Sequence, residues 1–372
     1  MKILINCSNL VVGGGIQVAA SVITELIVNK KHNFCVVLSK QVCRQINTDD
    51  FPSNFKFYFF EDSIAKLNTR NFFSKKLDEI EKKENIDFVI TIFGPSYWKP
   101  KKAKHLCGFA LPWMIYPESI AYNKLSFEEK IKIKLLNWYK LYHFKRECHF
   151  YWCETVIVKE RMVRHLGLNN IDVIGNAASH HFTEFNKESE SDFDDGVFKL
   201  LTVSAYYPHK NLDLIKGIIP LIKENGQKIK FYLTLPNEVF SGLFTTLEEL
   251  KYVENLGVIK NEDCPAYYQK ANAIFLPTLL ECFSANYAEA MCIGKPIITS
   301  NLDFAKSICE DAAIYFDPQD PIDAYEKIVA LMNNKDKQQK MVMIGNELLQ
   351  KNPSSTERAN ELIRICEKNF NN

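Results

Sequence analysis

Residues 277–300 read PTLLECFSANYAEAMCIGKPIITS. The run just before them, Ala273 to Leu276, is apolar and strand-like. Ser284 is a candidate N-cap for a short helix over Ala285 to Ile293, which Gly294 stops and Pro296 keeps stopped. Ile297 to Thr299 then opens a second apolar strand. A strand–loop–helix–strand unit of this kind builds a parallel sheet that presents ligands at the carboxyl ends of its strands.

Two glutamates bracket the helix start. Glu281 lies in the loop before it and Glu289 about five residues in, roughly 7 Å along the axis. A helix N-terminus offers unpaired N–H groups and a positive dipole end, so it attracts an anion such as a phosphate. Carboxylates above and below that point suit a ligand with a charged middle and hydroxylated ends, the shape of a nucleotide-sugar. For an arbitrary pair of glutamates the ordinary alternative is a solvated loop residue and a solvated helix face.

The neighbouring residues add a family pattern. The stretch resembles the E-x7-E segment of the retaining GT-B glycosyltransferases, known as glycosyl transferases group 1 or family four. That pattern runs P-S/T, two or three residues, E-G-F-G, then E-A-M/L-A-x-G-x-P-V/I-I. Pro277, Thr278, Glu281, Phe283, Glu289, Ala290, Met291, Gly294, Pro296 and Ile297 match it. Cys282 and Ser284 stand where the family has glycines, and Cys292 where Ala is frequent. A bare E-x7-E is weak; ten matches in one unit are specific.

The resemblance implies an α/β chain of the GT-B fold, two Rossmann-like parallel-sheet domains facing each other across a cleft. Residues 1–178 would form an acceptor domain, 179–197 a linker and 198–354 the donor domain, with a last helix, about 355–372, packing back on the first. Composition agrees with two domains. The chain has 372 residues, 47% hydrophobic and 24% charged, too long for one ordinary domain and typical of a globular protein. No apolar run approaches the ~20 residues of a membrane span, and MKILINCSNL reads as a first strand, not a secretory signal. Eleven cysteines without a C-x-x-C pair point to a reducing cytoplasm and away from disulfides or zinc.

Near-neutral net charge hides an asymmetry. Residues 1–175 carry 26 Lys+Arg against 17 Asp+Glu, a net of +9, and the remainder carries 20 against 28, a net of −8. A basic half suits anionic lipid or an anionic acceptor. The basic residues form no known nucleic-acid motif, so no nucleic-acid partner is expected. Lys124 to Arg146 is the most basic long segment, with Phe127, Ile131, Leu135, Trp138 and Tyr142 at helical spacing. It is either a membrane-surface helix or an ordinary helix with this stripe in the core.

Gly13-Gly14-Gly15 follows the first strand at a turn into a helix, where glycine lets backbone approach a ligand. A dinucleotide site would need G-x-G-x-x-G and an acidic residue after the second strand, which ends Val36-Val37-Leu38-Ser39. In the family a Gly-Gly loop faces the donor's distal end, which puts Gly14 and Gly15 in the donor set. Trp113 and Tyr116 are candidates to stack on an acceptor sugar, with core or loop packing an equal alternative. The family's N-domain His has no counterpart between His105 and His143. Residues 153–177 resemble the segment that closes the first domain. Asp192-Phe193-Asp194 fits the metal-binding D-x-D of another glycosyltransferase fold, but no strand leads into it and linker composition explains it.

In the second half, Lys199 to Ser204 is a strand followed by Ala205-Tyr206-Tyr207-Pro208-His209-Lys210. Lys210 matches the family lysine that neutralises the donor diphosphate. The Gly-Arg pair expected before it is Ser204-Ala205, one cation fewer. Gly257-Val258, within an expected strand Asn255 to Ile259, resembles the backbone that reads the nucleobase. The resemblance further gives Glu289 the ribose hydroxyls. It gives Glu281 the donor sugar, beside the backbone of Phe283, Ser284, Ala285 and Asn286. The implied reaction retains anomeric configuration, uses a UDP- or GDP-sugar and needs no metal or other cofactor, with Lys210 and Glu281 as catalytic candidates. The acceptor would be a glycan or lipid-linked sugar of a bacterial surface polysaccharide, at the inner face of the cytoplasmic membrane. Other classes stay open: a sugar-nucleotide epimerase on the same architecture, or a non-catalytic partner of another transferase.

Overall fold

The computed structural model describes residues 1–186 and 196–370, and Asp192-Phe193-Asp194 lies outside them. The chain forms two compact units. One comprises residues 1–117, 127–176 and the C-terminal residues from 353; the other comprises residues 118–126 and 177–352.

The first unit holds a seven-stranded sheet among the described residues. Its strands are β1 (Lys2–Cys7), β2 (Asn33–Ser39), β3 (Phe55–Phe60), β4 (Phe88–Thr91), β5 (Lys104–Gly108), β6 (Phe150–Cys153) and β7 (Ile171–Val173). They pair in parallel in the order β3-β2-β1-β4-β5-β6-β7. Ile3, Leu4 and Ile5 are fully buried in succession, as a strand covered by helices on both faces requires. The C-terminal helix Ser355–Phe370 belongs to this unit and puts Leu362, Ile363 and Cys366 into the core with Ile3, Ile5 and Val36. Arg358 on that helix is buried, donating to Ser21 Oγ at 2.8 Å and to the Asn176 side chain.

The second unit repeats the plan with β8 (Phe198–Thr202), β9 (Ile229–Leu233), β10 (Val253–Asn255), β11 (Ala273–Leu276), β12 (Ile297–Ser300) and β13 (Ala313–Phe316). All pairs are parallel, in the order β10-β9-β8-β11-β12-β13. Phe275 anchors its core, stacked on Phe316 at 5.4 Å between ring centroids and edge-on to Phe231 at 5.3 Å. Both sheets have the doubly wound order, and strand order reverses between β1 and β4 and between β8 and β11. Loops leaving the carboxyl ends at such a reversal diverge to opposite faces and leave a crevice for a ligand.

Several boundaries differ from the sequence reading. The 1–178 span is interrupted, because residues 118–126 group with the second unit. Residues 179–197 include a short helix, His180–Thr183, held by buried Phe182 edge-on to Tyr268 at 5.1 Å. The strand expected at Asn255–Ile259 ends at Asn255, because Gly257 at φ +73° leaves the extended region.

Candidate active site

In the second unit the reversal point joins two loops, 203–211 after β8 and 277–284 after β11. Backbone hydrogen bonding locks them together: Leu279 N donates to His209 O at 2.7 Å, and Thr278 Oγ1 reaches the same oxygen at 3.4 Å. A 3-10 turn, Pro208–Lys210, ends in Asn211 at φ 55°, whose side-chain amide donates to Pro318 O at 2.9 Å. This turn brings Lys210 onto Glu281, and the two form an ion pair with both side chains largely shielded from water. Thr278 Oγ1 donates to the same carboxylate at 3.3 Å.

The helix Ala285–Ile293 starts and stops where the sequence places it. Gly294 at φ +77° supplies the left-handed terminus, with Lys295 N bonding back to Ala290 O at 2.8 Å. Ser284 does occupy the N-cap position, but its side chain makes no capping bond. The helix start is tied down instead by Asn286, whose amide donates to Val203 O at 2.7 Å, across to the end of β8. Phe283 and Ala285 are half-buried beside it. First-turn N–H groups have no intrahelical partner, so this end keeps donors and a partial positive charge at the loop junction.

Glu289 is not a solvated helix face. Burial pushes its carboxyl up to about 7, opposed by the Tyr268 hydroxyl, which donates to Oε2 at 3.0 Å. Tyr268 is fully buried and lies on the short helix Cys264–Lys270. It is a site residue that the sequence reading missed, and its spacing from Glu289 carries no signal. His209 was also missed, although it directly precedes Lys210. Its ring stacks on Tyr207 at 5.5 Å, and burial pushes it down to about 4, with Glu281 raising and Lys210 lowering it. The imidazole is therefore neutral near pH 7.

Ser204 contributes backbone: its N–H donates to Thr234 Oγ1 at 3.1 Å while its hydroxyl turns to Ala205 O. Val258, beyond the β10 edge, is 75% exposed. A cavity of about 280 Å³ adjoins Asn211 and Leu279, lined also by Lys124, Asp213 and Gln319.

In the first unit, Gly14 caps the helix Gly15–Glu25. A Cβ at Gly14 would meet nothing within 4 Å, whereas one at Gly15 would press on Phe93 at 3.3 Å. Gly14 thus leaves open space at the reversal point, and Gly15 serves packing. Tyr116 is buried with the Arg161 guanidinium 4.0 Å from its ring centroid. Of the two alternatives for Tyr116, acceptor stacking and packing, burial and the cation on its ring fit packing. Trp113 is half-buried, and its carbonyl accepts from Asn137 at 2.7 Å. His105, Cys107 and Cys148 bring ligand atoms within 4.8 Å of one another. Both ring nitrogens of His105 are engaged, by Thr91 at 2.8 Å and the Glu147 carbonyl at 2.9 Å, so the trio is a hydrogen-bonded core cluster.

Parts of the sequence and the fold resemble known proteins. Residues 183–347 match the family model described as Glycosyl transferases group 1. An uncharacterized glycosyltransferase of Methanocaldococcus jannaschii is 26% identical over 174 residues, 45% of this chain and 47% of its own length. The O-antigen chain mannosyltransferase B of Escherichia coli is 32% identical over 69 residues, 18% of each chain. The matched stretch thus spans about half of the first relative and a fifth of the second. Among solved structures, Anabaena HepE in complex with UDP-glucose superposes with a TM-score of 0.71 over 99% of this chain and 100% of its own, at 11% identity. The fold is that of the GT-B enzymes.

Proposed function

We propose that this chain, whose residues 183–347 match the glycosyl transferases group 1 model, is a glycosyltransferase that moves a sugar from a nucleotide-sugar to a glycan or lipid-linked acceptor. One observation carries this reading: Lys210, Glu281 and the start of the helix Ala285–Ile293 converge where strand order reverses in the second sheet. The fold neighbour bound to UDP-glucose supports a nucleotide-sugar donor. The E. coli relative's name supports a role in surface polysaccharide synthesis.

Each group then has a task. Breaking the bond between sugar and diphosphate leaves extra negative charge on the leaving oxygen. The ammonium of Lys210 and the first-turn N–H groups around Asn286 stabilise it. Glu281 holds Lys210 in the absence of a donor and turns to sugar hydroxyls when the diphosphate takes the lysine. Glu289 accepts from ribose hydroxyls, and exposed Val258 offers its backbone to the base. The anomeric configuration is retained, with the donor phosphate taking the acceptor's proton. No step uses a metal.

Thermal melting against a panel of nucleoside diphosphates and their sugars tests this, with Lys210→Ala and Glu289→Ala alongside. A ligand at 100 times its Kd adds about 2.7 kcal/mol, readable as a melting shift. A shift with one nucleotide, reduced in both variants, is expected. Indifference to every nucleotide would remove the transferase reading. A second reading, a nucleotide-sugar-binding partner without turnover, draws on Ser204-Ala205, which brings no guanidinium to the diphosphate. Nucleotide binding without donor hydrolysis or transfer would favour it.

A further inference from the structure

We propose that the helix Phe127–Glu147 is an interfacial helix that lays an apolar stripe onto an anionic lipid surface. The stripe consists of Phe127, Ile131, Leu135, Trp138 and Tyr142, spaced four, four, three and four residues apart. At about 100° per residue these five positions fall within an arc of about 80°. They run for about 22 Å along the axis. All five are exposed, Phe127 at 77%, Leu135 at 64% and Trp138 at 71%. The core face of this helix is elsewhere: His143, Phe144 and Glu147 are buried, and burial lowers the Lys140 ammonium. The stripe is therefore outside the core, which removes one of the two readings that periodicity left open.

The occupant follows from what borders the stripe. Lys132, Lys134, Lys145 and Arg146 are all exposed. Arg146 donates to the Tyr142 hydroxyl at 2.9 Å, giving that ring a cationic neighbour. Aromatic rings with long cationic side chains beside them suit the headgroup level of a bilayer, where the apolar part enters and the charge stays with phosphate. No helix of the described residues is long and apolar enough to cross a membrane, so this one lies on the surface. The inference is independent of the transfer reading: vesicle binding and nucleotide binding can fail separately.

The test is flotation of the full chain with vesicles of phosphatidylcholine alone and with ~30% phosphatidylglycerol added. Two double variants accompany it, Leu135→Glu with Trp138→Glu and Lys132→Glu with Lys134→Glu. All four positions are exposed, so each variant should melt with the parent. Binding is expected to anionic vesicles, weakened at least roughly tenfold by either pair, and also by raising salt from ~0.1 to ~0.5 M. No binding to anionic vesicles overturns the proposal, as does binding that the apolar pair leaves unchanged. A dimer in sedimentation that the apolar pair dissolves, without vesicle binding, would give the stripe to a second copy of the chain.

Discussion

Glu289→Gln removes a charge and keeps a hydrogen-bond acceptor for Tyr268. In the folded chain burial holds the Glu289 carboxyl up to about 7, against the ordinary value of 4.5 in an unfolded chain. Between those pH values the native state binds a proton that the unfolded state has released. Stability from this group is thus full below about pH 4.5 and is lost as pH rises through about 7. At about 1.4 kcal/mol per tenfold, the ionised side chain costs the fold about 3 kcal/mol at pH 8 and little at pH 5. Glu289→Gln should therefore stay within about 1 kcal/mol of the parent at pH 5 and exceed it by about 3 kcal/mol at pH 8. All four tryptophans lie in the first unit, so fluorescence reports the wrong half. Amide exchange of the helix Ala285–Ile293 at the two pH values reads the right one. Parallel parent and variant profiles would mean that Glu289 is ionised throughout and that its burial decides nothing. Under the proposed function the same proton would bear on binding, because ribose hydroxyls donate best to a carboxylate. Affinity for a nucleoside diphosphate should rise with pH toward about 7 and then level in the parent, and be flat in Glu289→Gln.

Three further outcomes follow from named contacts. Glu281→Gln releases Lys210 from its ion pair, so nucleoside diphosphate affinity should rise about fivefold, the equivalent of ~1 kcal/mol, while transfer slows; calorimetry showing weaker binding would refute the competition. Asn286→Ala deletes the 2.7 Å bond to Val203 O and should cost about 1–2 kcal/mol in exchange of the same helix, with weaker nucleotide binding; a stability change below ~0.3 kcal/mol would show the tie is idle. Arg358→Ala leaves the Asn176 side chain without its buried donor and removes positive charge from the neighbourhood of Glu154. It should destabilise the first unit by about 3 kcal/mol in urea, read by tryptophan fluorescence, with a loss under ~1 kcal/mol arguing that the C-terminal helix is not anchored there.

What was legible in the sequence is what neighbouring residues enforce. Gly294 ends its helix because a left-handed residue is needed there, a local condition, so both ends of Ala285–Ile293 were readable. The strand at Asn255–Ile259 was misplaced by the same kind of condition, read without weight: a glycine at φ +73° two residues past the true end. Contacts that cross the chain were not readable. Tyr268 over Glu289, Asn286 on Val203 and the pairing of Lys210 with Glu281 depend on β8 lying beside β11, an adjacency fixed by the whole sheet. Periodicity found the stripe on Phe127–Glu147 but not its surroundings, since a helix face looks the same whether core, lipid or water covers it. The departures from the family pattern behave differently from one another. Ser284 loses a glycine yet keeps the N-cap place, because the N-cap backbone is ordinary extended chain that any residue adopts. Ser204-Ala205 brings no guanidinium, and the adjacent His209 does not restore that charge, since burial holds it neutral. Under the proposed function a donor diphosphate would be met by one ammonium and a helix start. In such a site, freeing Lys210 from Glu281 has more influence on binding than it would beside a second cation.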